Sequence, residues 1–227
     1  MPREQTFSLG LTASYVDADG IAVDQHTTGA DLTITGALST ASVATSDVMR
    51  LVSIFATSNE SSITFSVWGT DLYGNTVTDT ITGPNNATVV SARYFYTVSR
   101  VAPSASVAAT GTAEIDVGFI DRAATPWVKL NSYGIPNNLT VQFEAASGTI
   151  GATLQMTIQN IVPTPESHQS PGRKVAAQPL SFNHASIAAA TQTMAGSVTG
   201  PVNAVRLIVT GHATLATARL HTFQNGL

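Results

Sequence analysis

The sequence predicts an all-β chain made of antiparallel β-sandwich or jelly-roll-like modules arranged as two domains. Short runs rich in Val, Ile, Thr and aromatic residues recur between Gly, Pro, Asn and Asp turns at a spacing of roughly 8–12 residues, the pattern of sandwiches and barrels. No segment shows a convincing helical period. The length, 227 residues, suits two cores of ordinary size.

Composition narrows the function classes. Hydrophobic residues make up 43% and charged residues 11% of the chain, so the low-hydrophobicity, high-charge signature of disorder is missing. A free monomer stays soluble by displaying mixed charge, whereas a subunit covered by neighbours does not need to, and the charge deficit therefore favours assembly. Net charge is −4, with Lys129, Lys174 and eight scattered Arg, which argues against a phosphate-neutralising surface and nucleic-acid binding. Cysteine is absent, so disulfides and thiolate metal sites contribute nothing. No signal-peptide pattern follows Met1 and no stretch approaches a membrane span, so synthesis in a cytoplasm without membrane attachment is expected.

Residues 1–122 are expected to form an N-terminal β-sandwich domain with an extended arm, Met1–Asp24. That arm carries Phe7 and Tyr15 and does not look able to bury itself. Within it, Asp17-Ala18-Asp19-Gly20 reads as an Asp-Gly turn joining two strands. It lacks the third ligand position and terminal Glu of a calcium-binding EF-hand loop.

The strands that follow are Arg50–Ala56, Ser62–Gly69, Thr76–Thr82, Arg93–Val101 and Glu114–Ile120. In Ser62–Gly69, Ile63, Phe65 and Val67 alternate with Thr64, Ser66 and Trp68, so one face is apolar and Trp68 interrupts the other. Asp71-Leu72-Tyr73-Gly74-Asn75 supplies a tight turn, making Ser62–Thr82 a hairpin, and Gly83-Pro84-Asn85-Asn86 ends it. Bulky residues on both faces of Arg93–Val101 suggest cover on both sides, and Ala102–Thr112 is a small-residue loop.

Asp121–Pro126 is the linker candidate. Residues 123–227 are then a second β-sandwich domain with strands Trp127–Leu130, Leu139–Ala145, Ala152–Val162, Asn203–Thr210 and Thr214–Phe223. Ser147-Gly148 and Gly211-His212 read as turns between them. A Pro-rich loop fills 163–200, including Pro163, Pro165, Pro171, Arg173 and Lys174, with one short helical turn conceivable at Ala185–Thr191.

Chemistry-bearing constellations are scarce. His26, His168, His184, His212 and His221 show no zinc-binding spacing, so no metal site is expected. No nucleophile elbow, phosphate loop or dinucleotide fingerprint occurs, and no catalytic residue or cofactor is assigned. A paired-carboxylate glycosidase and a loop-built carbohydrate site stay open, the latter using the candidate exposed aromatics Trp68, Tyr73, Trp127 or Tyr133.

The stretch Gly69-x-Asp71-x-x-Gly74-Asn75-x-Val77-x-Asp79-x-Ile81-x-Gly83-Pro84, followed by Tyr94-Phe95-Tyr96-Thr97-Val98, resembles a hairpin pattern common in tailed-bacteriophage virion proteins. Leu139–Ala145, Ser147-Gly148, Thr153–Ile158 and Gly200-Pro201-Val202-Asn203-Ala204-Val205-Arg206-Leu207 are similar to a second segment of that class. The resemblance implies a non-enzymatic capsid decoration or cement protein, or alternatively a collar, tail or baseplate component, located in the virion. Its partners would be the major capsid protein or other virion subunits and further copies of itself as a dimer or trimer. Phe7 and Tyr15 in the arm, and Pro163, Pro165, Pro171, Arg173 and Lys174 in the Pro-rich loop, are the expected contact residues. A host-glycan-binding module is the rival from another class.

Overall fold

A computed structural model describes residues 3–26, 28–107, 114–130, 138–159 and 180–224. The fold is all-β, antiparallel and sandwich-like. Among the described residues the one helical element is the 3-10 turn Ala13–Tyr15. The chain divides into two compact units, Ser14–Asp121 and a discontinuous unit joining Met1–Ala13 to Arg122–Leu227. Residues 3–13, expected in the N-terminal domain, thus group with the C-terminal half.

The unit Ser14–Asp121 holds β2 (Asp17–Gln25), β3 (Ser39–Thr40), β4 (Val43–Ala56), β5 (Thr64–Thr70), β6 (Thr76–Thr82), β7 (Thr88–Pro103) and the start of β8 (Ile115–Ala124). Its order is β8-β4-β7-β5-β6, with β2 paired to β8 and β3 to β4. The expected hairpin is present: β5 and β6 pair without a bulge from Thr64↔Thr82 to Thr70↔Thr76. The turn closes because the Asp71 carboxylate accepts the Tyr73 and Asn75 backbone N–H groups and the Asn75 side-chain amide, while Gly74 adopts φ +81°.

Of these strands, β4 is the one with both faces covered; every residue from Val48 to Ile54 is buried. In β7, by contrast, Phe95 is buried while Tyr94 and Tyr96 are half-buried. The core gathers Ile21, Ile54, Phe65, Phe95, Val101, Ile115 and Phe119. Asp17–Gly20 makes no turn, because β2 runs through it. Gly20 instead allows close packing: a Cβ there would meet the Leu38 side chain at 2.8 Å, and one on Gly36 would lie 2.2 Å from the Gly20 carbonyl carbon.

The second unit is organised by two long strands, β10 (Asn138–Thr157) and β13 (Ala204–Gln224), paired antiparallel almost end to end. Around one end, β12 (Met194–Thr199) pairs with β10 and β1 (Arg3–Leu11) with β13. Around the other, β11 (Phe182–Asn183) pairs with β10, while β9 (Val128–Lys129) and the end of β8 pair with β13. Leu9, Leu11, Val141, Phe143, Ile150, Leu154, Leu207 and Leu220 are buried here.

Four expectations are corrected in this unit. Ser147-Gly148 is not a turn but an irregularity within β10, and Gly211-His212 lies inside β13, opposite Gly151 and Ile150. The linker Asp121–Pro126 begins as strand β8, and Ala123, Ala124, Thr125 and Pro126 are buried, with Thr125 Oγ1 accepting the Leu207 N–H. Finally, Ala185–Thr191 forms bends rather than a helical turn, and Ala190 exchanges two backbone hydrogen bonds with Ala152.

Candidate functional site

The N-terminal arm does bury itself, contrary to the sequence expectation. In β1 the alternation of Phe7, Leu9 and Leu11 lays one face on β13. Leu9 and Leu11 are buried and Phe7 is half-buried opposite Leu220. Tyr15, also half-buried, sits in the 3-10 turn, and Ile21 and Ala22 of β2 are fully buried. The Pro-rich contact residues Pro163, Pro165, Pro171, Arg173 and Lys174, together with Tyr133, lie outside the described residues.

Both tryptophans carry a guanidinium on the ring. Arg100 Cζ lies 4.3 Å from the Trp68 centroid, and Arg100 Nε is 2.6 Å from Asp31 Oδ2. That hydrogen bond holds the Asp31 carboxyl below its ordinary range. Arg206 Cζ lies 4.5 Å from the Trp127 centroid, and its Nε and Nη2 donate to Gln155 Oε1 at 3.0 and 2.8 Å. Each indole therefore has one face in a cation–π contact rather than open to a sugar ring. Tyr73 is different. At the hairpin tip it is 61% exposed beside Leu72 at 44%, on a loop fixed by Asp71.

The sequence reading missed a polar ladder across β1, β13 and β10. The His221 ring is within 2.9 Å of Thr6 Oγ1 through Nδ1 and of Glu144 Oε2 through Nε2, and Arg219 Nη1 donates to Glu144 Oε1 at 3.2 Å. The His221 contact, then Arg219, lowers the Glu144 carboxyl. Hydroxyl, imidazole and carboxylate stand in the order of a nucleophile, base and orienting acid. Strand register accounts for the order without catalysis, since Thr6 faces His221 directly and Glu144 faces Arg219. Only three-dimensional pairing brings these residues together; no spacing in the sequence signals it.

Carboxylates also gather in the other unit. A hydrogen bond with Asp19 raises the Asp17 carboxyl, and burial raises Asp116, whose Oδ1 accepts the Asp24 N–H. Among the described residues no group of three or more His, Cys, Asp or Glu is arranged to hold a metal ion. Nor is any helix long and apolar enough to cross a membrane.

Among the described residues of the discontinuous unit, exposed apolar side chains gather where β11 meets the end of β10. Ile158 is 58%, Leu180 79% and Phe182 47% exposed, and Phe182 faces Met156 across the ladder. Grouped apolar exposure of this kind marks contact surfaces more often than scattered single residues do.

By class, then, the chain is an all-β antiparallel, sandwich-like protein. It matches no protein-family model, no curated protein and no solved structure.

Proposed function

We propose that the chain is a non-enzymatic structural protein of a virus particle, acting as a decoration or cement subunit that binds across capsomers. One observation carries the reading: among the described residues the surface is poor in charge, and four of the arginines are engaged within the chain. Arg50 is fully buried on Asp47, Arg206 is buried against Trp127 and Gln155, and Arg100 and Arg219 are paired with Asp31 and Glu144. Among the described residues, what remains outside is mostly threonine, serine and small apolar side chains, with apolar groups at Leu72-Tyr73 and at Ile158, Leu180 and Phe182. Such a surface suits burial against neighbours. The hairpin motif that resembles virion proteins supports the same reading.

The mechanism is interface burial repeated over a shell, with apolar area contributing about 25 cal/mol per Å² before association costs. Quantitative gel densitometry of virions from the phage encoding the sequence tests it. A copy number comparable to that of the major capsid protein is the expected result. A copy number far below it moves the chain to the tail or baseplate, and absence from purified virions overturns the reading.

A further inference from the structure

We propose that β1 is an exchangeable strand, and that the slot it fills beside β13 accepts the β1 of a second copy of this chain. The proposal adds self-association to the function above and rests on that reading for its use in assembly.

The placement of β1 is the main reason. It belongs to the discontinuous unit, yet 108 residues of another compact unit, Ser14–Asp121, separate it in sequence from the rest of that unit. Among the described elements, β13 is the one on which β1 packs to any extent. Pairing runs from Arg3↔Gln224 to Leu11↔Ala216 with no bulge. Its pairing is a straight edge ladder with Leu9 and Leu11 buried beneath it, and that ladder can re-form between copies.

A second copy is the occupant that the geometry specifies. The slot matches β1 in detail: Thr6 Oγ1 lies 2.9 Å from His221 Nδ1, Thr222 Oγ1 donates to the Gln5 carbonyl, and Phe7 faces Leu220. Another copy brings the same nine residues in the same order. Without β1, moreover, the β13 edge from Ala216 to Gln224 has unpaired backbone groups that favour pairing with a strand. In dilute solution the tethered strand wins through its local concentration, and on a crowded shell the exchange between neighbours competes.

The native chain has no cysteine, so a disulfide reports the pairing cleanly. In Thr6→Cys/His221→Cys, the two directly opposed positions are expected to close within one chain. The decisive sample mixes the single variants Thr6→Cys and His221→Cys, refolded together and oxidised at rising concentration. A peptide linking positions 6 and 221 then comes only from two chains and is expected to increase with concentration. Absence of that peptide at all concentrations, with the double variant closing internally, overturns exchange. Failure of the double variant to close overturns the β1–β13 ladder and the proposal with it. The test needs only purified protein, so a chain missing from virions would defeat the particle reading without deciding this one.

Discussion

Replacing Asp47 with Asn tests the interior of the Ser14–Asp121 unit. Arg50 has no exposed surface, and Asp47 receives its Nε at 2.8 Å and Nη2 at 3.1 Å, together with the Val48 N–H and the Ser46 hydroxyl. The variant keeps the shape and one acceptor oxygen but removes the charge and turns an amide N–H₂ toward the guanidinium. Stripping one partner from a buried ion pair costs about 3–5 kcal/mol, and the remaining carbonyl places Asp47→Asn near the lower figure. For a domain near 100 residues each kcal/mol moves Tm by roughly 4–8 °C, so a fall of more than about 10 °C is expected. Urea unfolding followed by circular dichroism, with calorimetry, measures both quantities. Asp47→Leu/Arg50→Met, which removes both charges, should recover much of the loss. If Asp47→Asn stays within about 1 kcal/mol of wild type, or the double variant is worse than the single, the ion pair does not hold this strand as described.

Glycine packing gives a paired prediction. A Cβ at Gly118 would lie 1.8 Å from the Asp17 carbonyl oxygen, so Gly118→Ala should drive β2 from β8 and lower stability by about 3 kcal/mol. By contrast Gly10→Ala meets nothing within 4 Å and should change stability by less than about 1 kcal/mol, both read from urea midpoints. The raised carboxyls Asp17 and Asp116 hold protons more tightly in the folded state. Stability of their unit should therefore fall as pH rises from the usual carboxylate range into the interval above it, and Asp17→Asn/Asp116→Asn should flatten that slope. Glu144 has the opposite sign. Its lowered pKa supplies stability above the usual range that is lost as pH falls through the folded value, and Glu144→Gln should remove that acid-side loss. Arg206→Ala should red-shift Trp127 emission, while unchanged emission would show that the guanidinium does not shield the indole.

Local chemistry made some elements readable from sequence. The Asp71–Asn75 turn and the alternation on either side located the β5–β6 hairpin, and Thr76–Thr82 was bounded to the residue. Ser147-Gly148 and Gly211-His212 misled because a glycine that signals a turn can also sit inside a strand or at a bulge; Gly148 has φ +73° within a continuous strand. The linker looked polar, but Thr125 spends its hydroxyl on the Leu207 N–H, so its polarity is internal. Partners for β1 lay more than two hundred positions away, beyond any window of periodicity. The Thr6–His221–Glu144 ladder was hidden for the same reason. Trp68 and Trp127 were expected as exposed aromatics but are half-buried, and no sequence pattern revealed the arginines that lie on them.

The interrupted unit also sets an order of birth. A ribosome releases β1 first and β13 last, so the earliest nascent strand waits without its partner while the middle of the chain emerges and folds. Closing that unit is a late, long-range step in synthesis, of the slow kind expected for distant strand pairing. Premature termination before Ala204 would leave Leu9 and Leu11 with no strand to cover them, and such products should be recognised by chaperones and proteases.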